Sequence, residues 1–117
     1  MISICNKQSI NREVHLELQD KIKKDIADNK IMLYMKGTKE MPMCGFSATV
    51  VNILGMHEID YTVVNVLENP QIRHELAEFS NWPTIPQLFY KGELIGGCDI
   101  AVELHNSGEL AEIFKNK

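Results

Sequence analysis

The sequence predicts an α/β domain in which a mixed four-stranded sheet lies between helices, and three observations predict it. Helical and strand-like segments alternate in the order α-β-α-β-α-β-β-α-α, so that a β-α-β half precedes a ββα half. The run "IMLYM" (31–35) is apolar without interruption, which is typical of a strand covered on both faces. The chain has 117 residues, of which 44% are hydrophobic, enough for one domain with one core.

The first helix is predicted from about residue 16, because Leu18, Ile22 and Ile26 recur every four residues. The segment ahead of it has no clear periodicity. We therefore predict that residues 1–15 are a poorly ordered extension and that residues 16–117 form the domain.

The strand at 31–35 leads into a loop at 36–43 that contains glycine and proline, and then into a second helix. This helix is predicted from about Cys44 to Leu54. Its apolar residues recur at helical spacing and are expected to face the core. They are Phe46, Val50, Ile53 and Leu54.

The second half contains three more strands and three more helices. The segment "YTVVNV" (61–66) is strand-like, and Asn69-Pro70 is an N-cap followed by a proline at the first helical position. Lys91-Gly92 is predicted as a tight hairpin turn between "QLFY" and "ELIG". Asp99 is expected to cap the next helix, and a last helix is predicted to start near Ser107.

Composition and charge argue against two classes of function. The net charge is −4 and the pI about 5.5, whereas nucleic-acid binding favours a basic face. No apolar run in the sequence approaches the roughly 18 residues of a membrane span. The N-terminal residues lack the basic start and apolar stretch of a secretory signal, so we expect a cytoplasmic protein with neither nucleic acid nor membrane as a partner.

The three cysteines, Cys5, Cys44 and Cys98, are predicted to be free thiols, because an odd number does not make a disulfide framework. Cys44 begins a helix after a loop, where unpaired N–H groups and the helix dipole favour a thiolate. Lys36 adds a nearby cation, and Ser47 occupies the position of the second cysteine in a dithiol site. We predict that Cys44 is reactive rather than a buried structural thiol, and that Cys5 is incidental.

Two other stretches suit an extended ligand with charged ends. In "WPTIPQ" (82–87), a cis Ile85–Pro86 bond would let the backbone groups of Ile85 face outward and pair with a peptide. In "GGCD" (96–99), the helix start at Cys98 and Asp99 offers N–H donors to a carboxylate, and Asp99 accepts from an ammonium group. The alternatives are a rigid turn and an ordinary hairpin exit.

Arg73 and the histidines are the remaining candidates. Arg73 offers a fork for a carboxylate, although a solvated surface charge is the simpler interpretation. The histidines, which we expect to be surface or core residues, have no zinc-ligand spacing. They are His15, His57, His74 and His105.

Together these stretches resemble the monothiol glutaredoxins, whose active site carries the motif C-G-F-S. Here that motif is Cys44-Gly45-Phe46-Ser47, and "MKGT", "NWPTIPQ", "GELIGGCDI" and "SGEL" are similar as well. The resemblance covers roughly residues 16–115. It implies a thioredoxin fold, a single glutaredoxin domain of the bacterial form, and a glutathione site. The residues that match the family's binding positions are Lys36, Arg73, Ile85, Cys98 and Asp99.

The resemblance also implies a [2Fe-2S] cluster shared between two subunits, with Cys44 as catalytic residue and cluster ligand. Such a cluster takes four thiolates, which one Cys44 from each subunit and two glutathiones would supply. The implied role is cluster assembly and transfer by a homodimer, with BolA-like proteins and apo iron–sulfur proteins as partners. Two alternatives remain: a glutathione-dependent thiol-disulfide oxidoreductase acting in deglutathionylation, and a pure interaction module. Ser47 and the longer loop at 37–43 favour the carrier, with at most weak enzymatic activity.

Overall fold

The computed structural model describes the backbone of residues 2–115 and the side chains of residues 15–115. Within this part of the chain the predicted elements occur in the predicted order. They are α1 (Ile2–Asp28), β1 (Ile31–Met35), α2 (Gly45–Met56), β2 (Thr62–Asn65), α3 (Pro70–Ser80), β3 (Gln87–Tyr90), β4 (Glu93–Gly96), α4 (Cys98–Ser107) and α5 (Glu109–Lys115).

The four strands form one mixed sheet in the order β2-β1-β3-β4. Strand β1 is parallel to β2 and antiparallel to β3, and β3 is antiparallel to β4. The predicted hairpin turn between β3 and β4 is present. Lys91 and Gly92 both have positive φ, of 50° and 86°, as a two-residue type I′ turn requires.

The core lies on both faces of β1, as its uninterrupted apolar sequence predicts. All five side chains of β1 are buried, and successive residues point to opposite faces. Ile31, Leu33 and Met35 pack on one face with side chains of α2, α4 and α5. Met32 and Tyr34 pack on the other face with side chains of α1 and α3. The helices therefore form two layers that exclude water from the central strand.

The helix starts confirm one predicted cap and correct two details. The Asn69 side chain accepts a hydrogen bond from the Gln71 N–H at 3.1 Å, as expected of an N-cap. The predicted Asp99 cap is wrong, because Gly97 is the N-cap of α4 and Asp99 already lies in the first turn. The predicted burial of Phe46 is also wrong, since its side chain is 62% exposed. The buried face of α2 begins only at Ser47, so Phe46 lies ahead of the part of the helix that covers the sheet.

Helix α1 begins at Ile2, ahead of the predicted start near residue 16. The predicted extension, residues 1–15, lies outside the described side chains apart from His15, as does Cys5. That division of the chain and the incidental role of Cys5 therefore stay predictions. None of the helices in the described part of the chain combines the length and apolar character needed to cross a membrane.

Helices α1 and α3 are joined by a small polar network around Glu75, whose side chain is buried. Its Oε1 lies 2.6 Å from His15 Nδ1 and accepts a hydrogen bond from Gln19 Nε2 at 2.8 Å. The hydrogen bond to Glu75 raises the pKa of His15. Burial alone would raise the pKa of Glu75, but the hydrogen bonds from Gln19 and His15 outweigh it and lower that pKa.

We expect His15→Gln to remove a stabilising contribution that depends on pH. Because the pKa of His15 is raised, its contribution is fully present below the ordinary value of about 6.5 and is lost as the pH rises through the folded value. Because the pKa of Glu75 is lowered, its contribution is lost as the pH falls through that lowered value. The difference in unfolding free energy between wild type and variant should peak between the two pKa values in urea titrations.

The control for this prediction is His57→Gln, since burial lowers the pKa of His57. A histidine with a lowered pKa destabilises the folded state at acid pH. The stability of His57→Gln relative to wild type should therefore rise as the pH falls. A His15→Gln difference that is the same at every pH would contradict the ion-pair interpretation.

Candidate functional site

Cys44 is the N-cap residue of α2, with extended backbone angles of φ −149° and ψ 137°, and its side chain is half-buried. The nearby backbone N–H groups of Ser47 and Phe46, together with the charge of Lys36, lower the pKa of the thiol. Burial opposes the shift but does not cancel it. The thiolate-favouring surroundings expected from the sequence are therefore present, while the reaction that Cys44 performs stays a prediction.

Ser47 occupies a structural position rather than an exposed one. Its side chain is fully buried, and its Oγ accepts a hydrogen bond from the Lys36 N–H at 3.2 Å. This bond ties the residue after β1 to the first turn of α2. The hydroxyl also contributes to lowering the pKa of the nearby Cys44 thiol. One accessible thiol thus stands beside a hydroxyl that has no redox chemistry.

The loop between β1 and α2 is folded back on itself and held from two sides. The Met43 N–H donates to the Lys36 carbonyl at 2.9 Å, closing the loop across its base. The Gly37 N–H donates to Asn65 Oδ1 at 2.9 Å, which connects the loop to the end of β2. Gly37 has a φ of 97°, and a Cβ there would overlap the Met41 carbonyl oxygen, so only glycine fits.

A groove of about 250 Å³, here called the thiol-side groove, runs beside the first turn of α2. The stretches 82–86 and 97–100 form its walls. The Ile85–Pro86 bond is cis, as considered from the sequence. The complete lining is Phe46, Trp82, Thr84, Ile85, Pro86, Gly97, Cys98, Asp99 and Ile100.

The two walls of the groove approach each other closely at Gly97. A Cβ on Gly97 would lie 3.1 Å from the Pro86 carbonyl oxygen and 3.3 Å from Trp82 Nε1, tighter than ordinary van der Waals contact. The buried Gln87 side chain donates from Nε2 to the Trp82 and Thr84 carbonyls, at 2.7 and 3.1 Å. The backbone of the groove is therefore fixed by packing and by hydrogen bonds.

The surroundings of Cys98 disfavour a thiolate, in contrast to those of Cys44. Burial, followed by the charge of Asp99, raises the pKa of Cys98. A hydrogen bond with the Thr49 side chain opposes this effect, and a thiolate at Cys44 adds to it. The two thiols are close enough to interact, but only Cys44 is favoured as an anion.

The structure brings together four of the five residues matched to a glutathione site. Ile85, Cys98 and Asp99 line the thiol-side groove, and the charge of Lys36 acts on Cys44. Arg73 is exposed on α3 and does not line that groove. A larger cavity of about 670 Å³ lies between the 38–40 loop, β2 and α3, and none of the five lines it.

Sequence reasoning missed several residues of this site. Trp82 and Thr84 lie inside the stretch that drew attention to Ile85, so that stretch contained the signal. Phe46 was placed in the core by its helical spacing but lines the groove instead. Thr49 and Asn65 carried no signal, because their contacts with Cys98 and with the 36–43 loop join segments that are far apart in the sequence.

Comparisons with known proteins agree on one family. Residues 31–95 match the family model described as Glutaredoxin. The chain is 55% identical over 94 residues to the probable monothiol glutaredoxin 2 of Rickettsia felis, covering 80% of this chain and 90% of that protein. It is 49% identical to reduced poplar apo GrxS14, whose solution structure matches with a TM-score of 0.74 over 84% of this chain and 90% of that one. The holo form of glutaredoxin C1 from Populus tremula x tremuloides is 27% identical, with a TM-score of 0.78 over 87% of this chain and 90% of that one.

We expect the thiols of the reduced chain to react at different pH values. Because the pKa of Cys44 is lowered and that of Cys98 is raised, iodoacetamide should alkylate Cys44 first as the pH rises. The midpoint for Cys44 should lie below that of an unperturbed cysteine, and the midpoint for Cys98 should lie above it. Mass spectrometry of the two peptides measures both profiles in one sample, so each thiol is the control for the other. Faster alkylation of Cys98 at neutral pH would contradict the assignment.

Proposed function

The chain belongs to the glutaredoxin family, and we propose that it binds glutathione and carries a [2Fe-2S] cluster between two copies of itself for iron–sulfur cluster assembly and transfer. The observation that carries this proposal concerns the two cysteines whose side chains the structure describes: only Cys44 favours a thiolate, and it lies beside a buried serine. Cys44 has a lowered pKa at the start of α2, and the Ser47 hydroxyl is held by the Lys36 N–H. The site can donate one thiolate ligand but cannot close a disulfide between positions 44 and 47.

The charges around the thiol-side groove are complementary to glutathione, which has two carboxylates, an ammonium group and a thiol. Asp99 and the first-turn N–H groups of α4 suit the end that carries an ammonium group and a carboxylate. Lys36 and Arg73 supply positive charge for the other carboxylate. The groove, at about 250 Å³, is below the roughly 300–1,000 Å³ of an enclosing ligand pocket. We therefore infer that it holds one end of the tripeptide and leaves the thiol exposed beside Cys44.

The ligand count requires two copies of this chain. A [2Fe-2S] cluster takes four thiolates, and each protomer offers Cys44 and one bound glutathione. Because the pKa of Cys98 is raised, that residue is a poorer ligand. The cluster is cargo in this proposal. Two of its four ligands are glutathiones held without a covalent bond, so thiolates of a recipient protein can replace them.

Partner proteins would meet an apolar rim beside the thiol. Met41, Met43 and Phe46 are large hydrophobic side chains, each more than 60% exposed. Exposed apolar side chains of this kind are typical of surfaces that contact other proteins. The proposal includes apo iron–sulfur proteins and a BolA-like protein as partners. It also includes a cytoplasmic location, which suits the free thiols of Cys44 and Cys98.

We expect the cluster to assemble only on a dimer that contains glutathione. Anaerobic reconstitution with iron, sulfide and glutathione should convert a monomer into a dimer with one cluster and two glutathiones. Cys44→Ser should abolish the visible absorption of the cluster, because it removes one ligand from each protomer, and should leave far-ultraviolet circular dichroism unchanged. Cys98→Ser is the matched control and should retain the cluster. Sedimentation measures the conversion of monomer to dimer, absorption spectra measure the cluster, and native mass measurement gives the number of clusters and glutathiones.

The rival function is glutathione-dependent thiol-disulfide exchange by the apo protein. In that reaction the Cys44 thiolate attacks the glutathione sulfur of a mixed disulfide, which forms a Cys44–glutathione disulfide and releases the substrate thiolate. The thiolate of a second glutathione then attacks this disulfide, which regenerates the Cys44 thiolate and forms glutathione disulfide. A holo form that sediments as a monomer, or a Cys44→Ser variant that retains the cluster, would contradict the carrier. Rapid turnover of a mixed disulfide in an assay coupled to glutathione-disulfide reductase would favour the rival.

We expect Lys36→Ala and Arg73→Ala each to weaken glutathione binding by about one to two decades. Each substitution removes a charge-assisted contact with a carboxylate, worth roughly 1.5–3 kcal/mol. Titration calorimetry on the apo protein measures the change. Lys24→Ala, on the exposed side of α1, is the matched control and should bind as wild type does. Unchanged affinity in both variants would mean that the carboxylates bind elsewhere.

A further inference from the structure

We propose that His15, Glu75 and Glu78 form a binding site for a divalent transition-metal ion, with Zn²⁺ as the best match, between helices α1 and α3. None of the three residues lines the thiol-side groove. The site is therefore separate from the glutathione and cluster chemistry, and its existence does not depend on the function proposed above. It is called the α1–α3 site below.

The three side chains converge from two helices. His15 lies in α1, and Glu75 and Glu78 are one turn apart on α3, so both carboxylates face the same side. One ligand atom from each residue lies within 4.8 Å of the other two. His15 Nδ1 is 2.6 Å from Glu75 Oε1 and 3.9 Å from Glu78 Oε2.

These distances are close to those of a coordinated ion. With metal–ligand bonds of about 2.0–2.2 Å, neighbouring ligands of a tetrahedral zinc ion lie roughly 3.3–3.6 Å apart. The two measured separations lie on either side of that range. An ion that replaces the proton between His15 and Glu75 would move these groups apart by less than about 1 Å and draw Glu78 inward. Glu78 is half-exposed and has room for that movement.

The types of ligand decide which metal ions fit. One imidazole nitrogen and two carboxylate oxygens suit zinc and its transition-metal neighbours. Magnesium and calcium prefer shells made entirely of oxygen, which the imidazole of His15 does not offer. Three protein ligands leave a fourth position for water. The spacing of the histidines in the sequence could not reveal this site, because its ligands come from helices separated by β1, α2 and β2.

Neighbouring groups already orient both carboxylates, as supporting residues do in metal sites. Glu75 is only 7% exposed, and Gln19 Nε2 donates to its Oε1 and to its backbone carbonyl, both at 2.8 Å. His74 Nε2 lies 3.4 Å from Glu78 Oε1 and holds the second carboxylate. Buried charges in proteins are paired or coordinate a metal ion, and an ion between Glu75 and Glu78 would supply the positive charge.

The alternative is a simple ion pair between His15 and Glu75. The two interpretations differ in Glu78, because the ion pair needs only one carboxylate whereas the metal site needs both. The Glu78 side chain is half-exposed, so its substitution removes little buried surface. Glu78→Gln therefore tests the proposal without threatening the fold.

The test is zinc titration of the full chain by calorimetry, after iodoacetamide has blocked its thiols. The expected result is one Zn²⁺ per chain with a rise in Tm, since a ligand that binds the folded state stabilises it. His15→Gln and Glu78→Gln should each weaken the affinity by at least about tenfold, the lower range for loss of a supporting residue. Binding should also weaken as the solution is acidified, because protons compete with the metal ion for the imidazole.

The matched controls are Glu112→Gln on α5, which removes an exposed helical glutamate, and His57→Gln, which removes a histidine that lies 3.2 Å from His105. Both variants should bind zinc as wild type does. The proposal is overturned if zinc gives no binding heat and no shift in Tm, or if Glu78→Gln binds zinc unchanged. It is equally overturned if His57→Gln abolishes the binding, because the ion would then lie at the His57–His105 pair.

Discussion

Burial of β1 on both faces is the constraint on which the rest of this structure depends. Its five side chains contact two separate layers of helices, so the sheet is sandwiched and β1 has little freedom to shift. The residue that follows the strand, Lys36, is consequently fixed in space. The Lys36 N–H donates to Ser47 Oγ, and the Lys36 carbonyl accepts from the Met43 N–H. These two hydrogen bonds fix both ends of the loop that leads to Cys44 at the start of α2. The geometry of the thiol is thus set by the core.

The lowered pKa of Cys44 follows from the backbone N–H groups in the first turn of α2. In the first turn of a helix the N–H groups have no partner within the helix, and here those of Phe46 and Ser47 lower the pKa of the Cys44 thiol. The buried hydroxyl of Ser47 adds to this effect and also accepts a hydrogen bond from the Lys36 N–H. Burial and the charge of Asp99 raise the pKa of the neighbouring Cys98 despite its hydrogen bond with Thr49, so the two thiols are electrostatically different. Of these two thiols, only Cys44 favours the anionic form.

The helix layer formed by α1 and α3 contains a polar network around Glu75. Glu75 is buried at the seam of α1 and α3, where a charged group is tolerated only with close partners. Gln19 and His15 provide them from α1, and Glu78 and His74 extend the network toward solvent. This seam ties the N-terminal helix to the same layer that covers Met32 and Tyr34. Any cation or proton that the seam binds therefore acts on the stability of the fold and not directly on the thiol.

The sequence by itself determined the order of elements, the buried central strand, the Asn69 cap, the hairpin at Lys91-Gly92 and the thiolate-favouring position of Cys44 at a helix start. These features depend on local patterns: apolar runs, turn residues and a helix start. Only the tertiary structure decided that Phe46 faces the groove, that Gly97 rather than Asp99 caps α4, and that Cys98 lies close enough to Cys44 to be influenced by it. It alone brought His15 to Glu75 and Asn65 to Gly37. Helical spacing tells which residues share a face, whereas the partner of that face depends on how distant segments pack, and that information is not local.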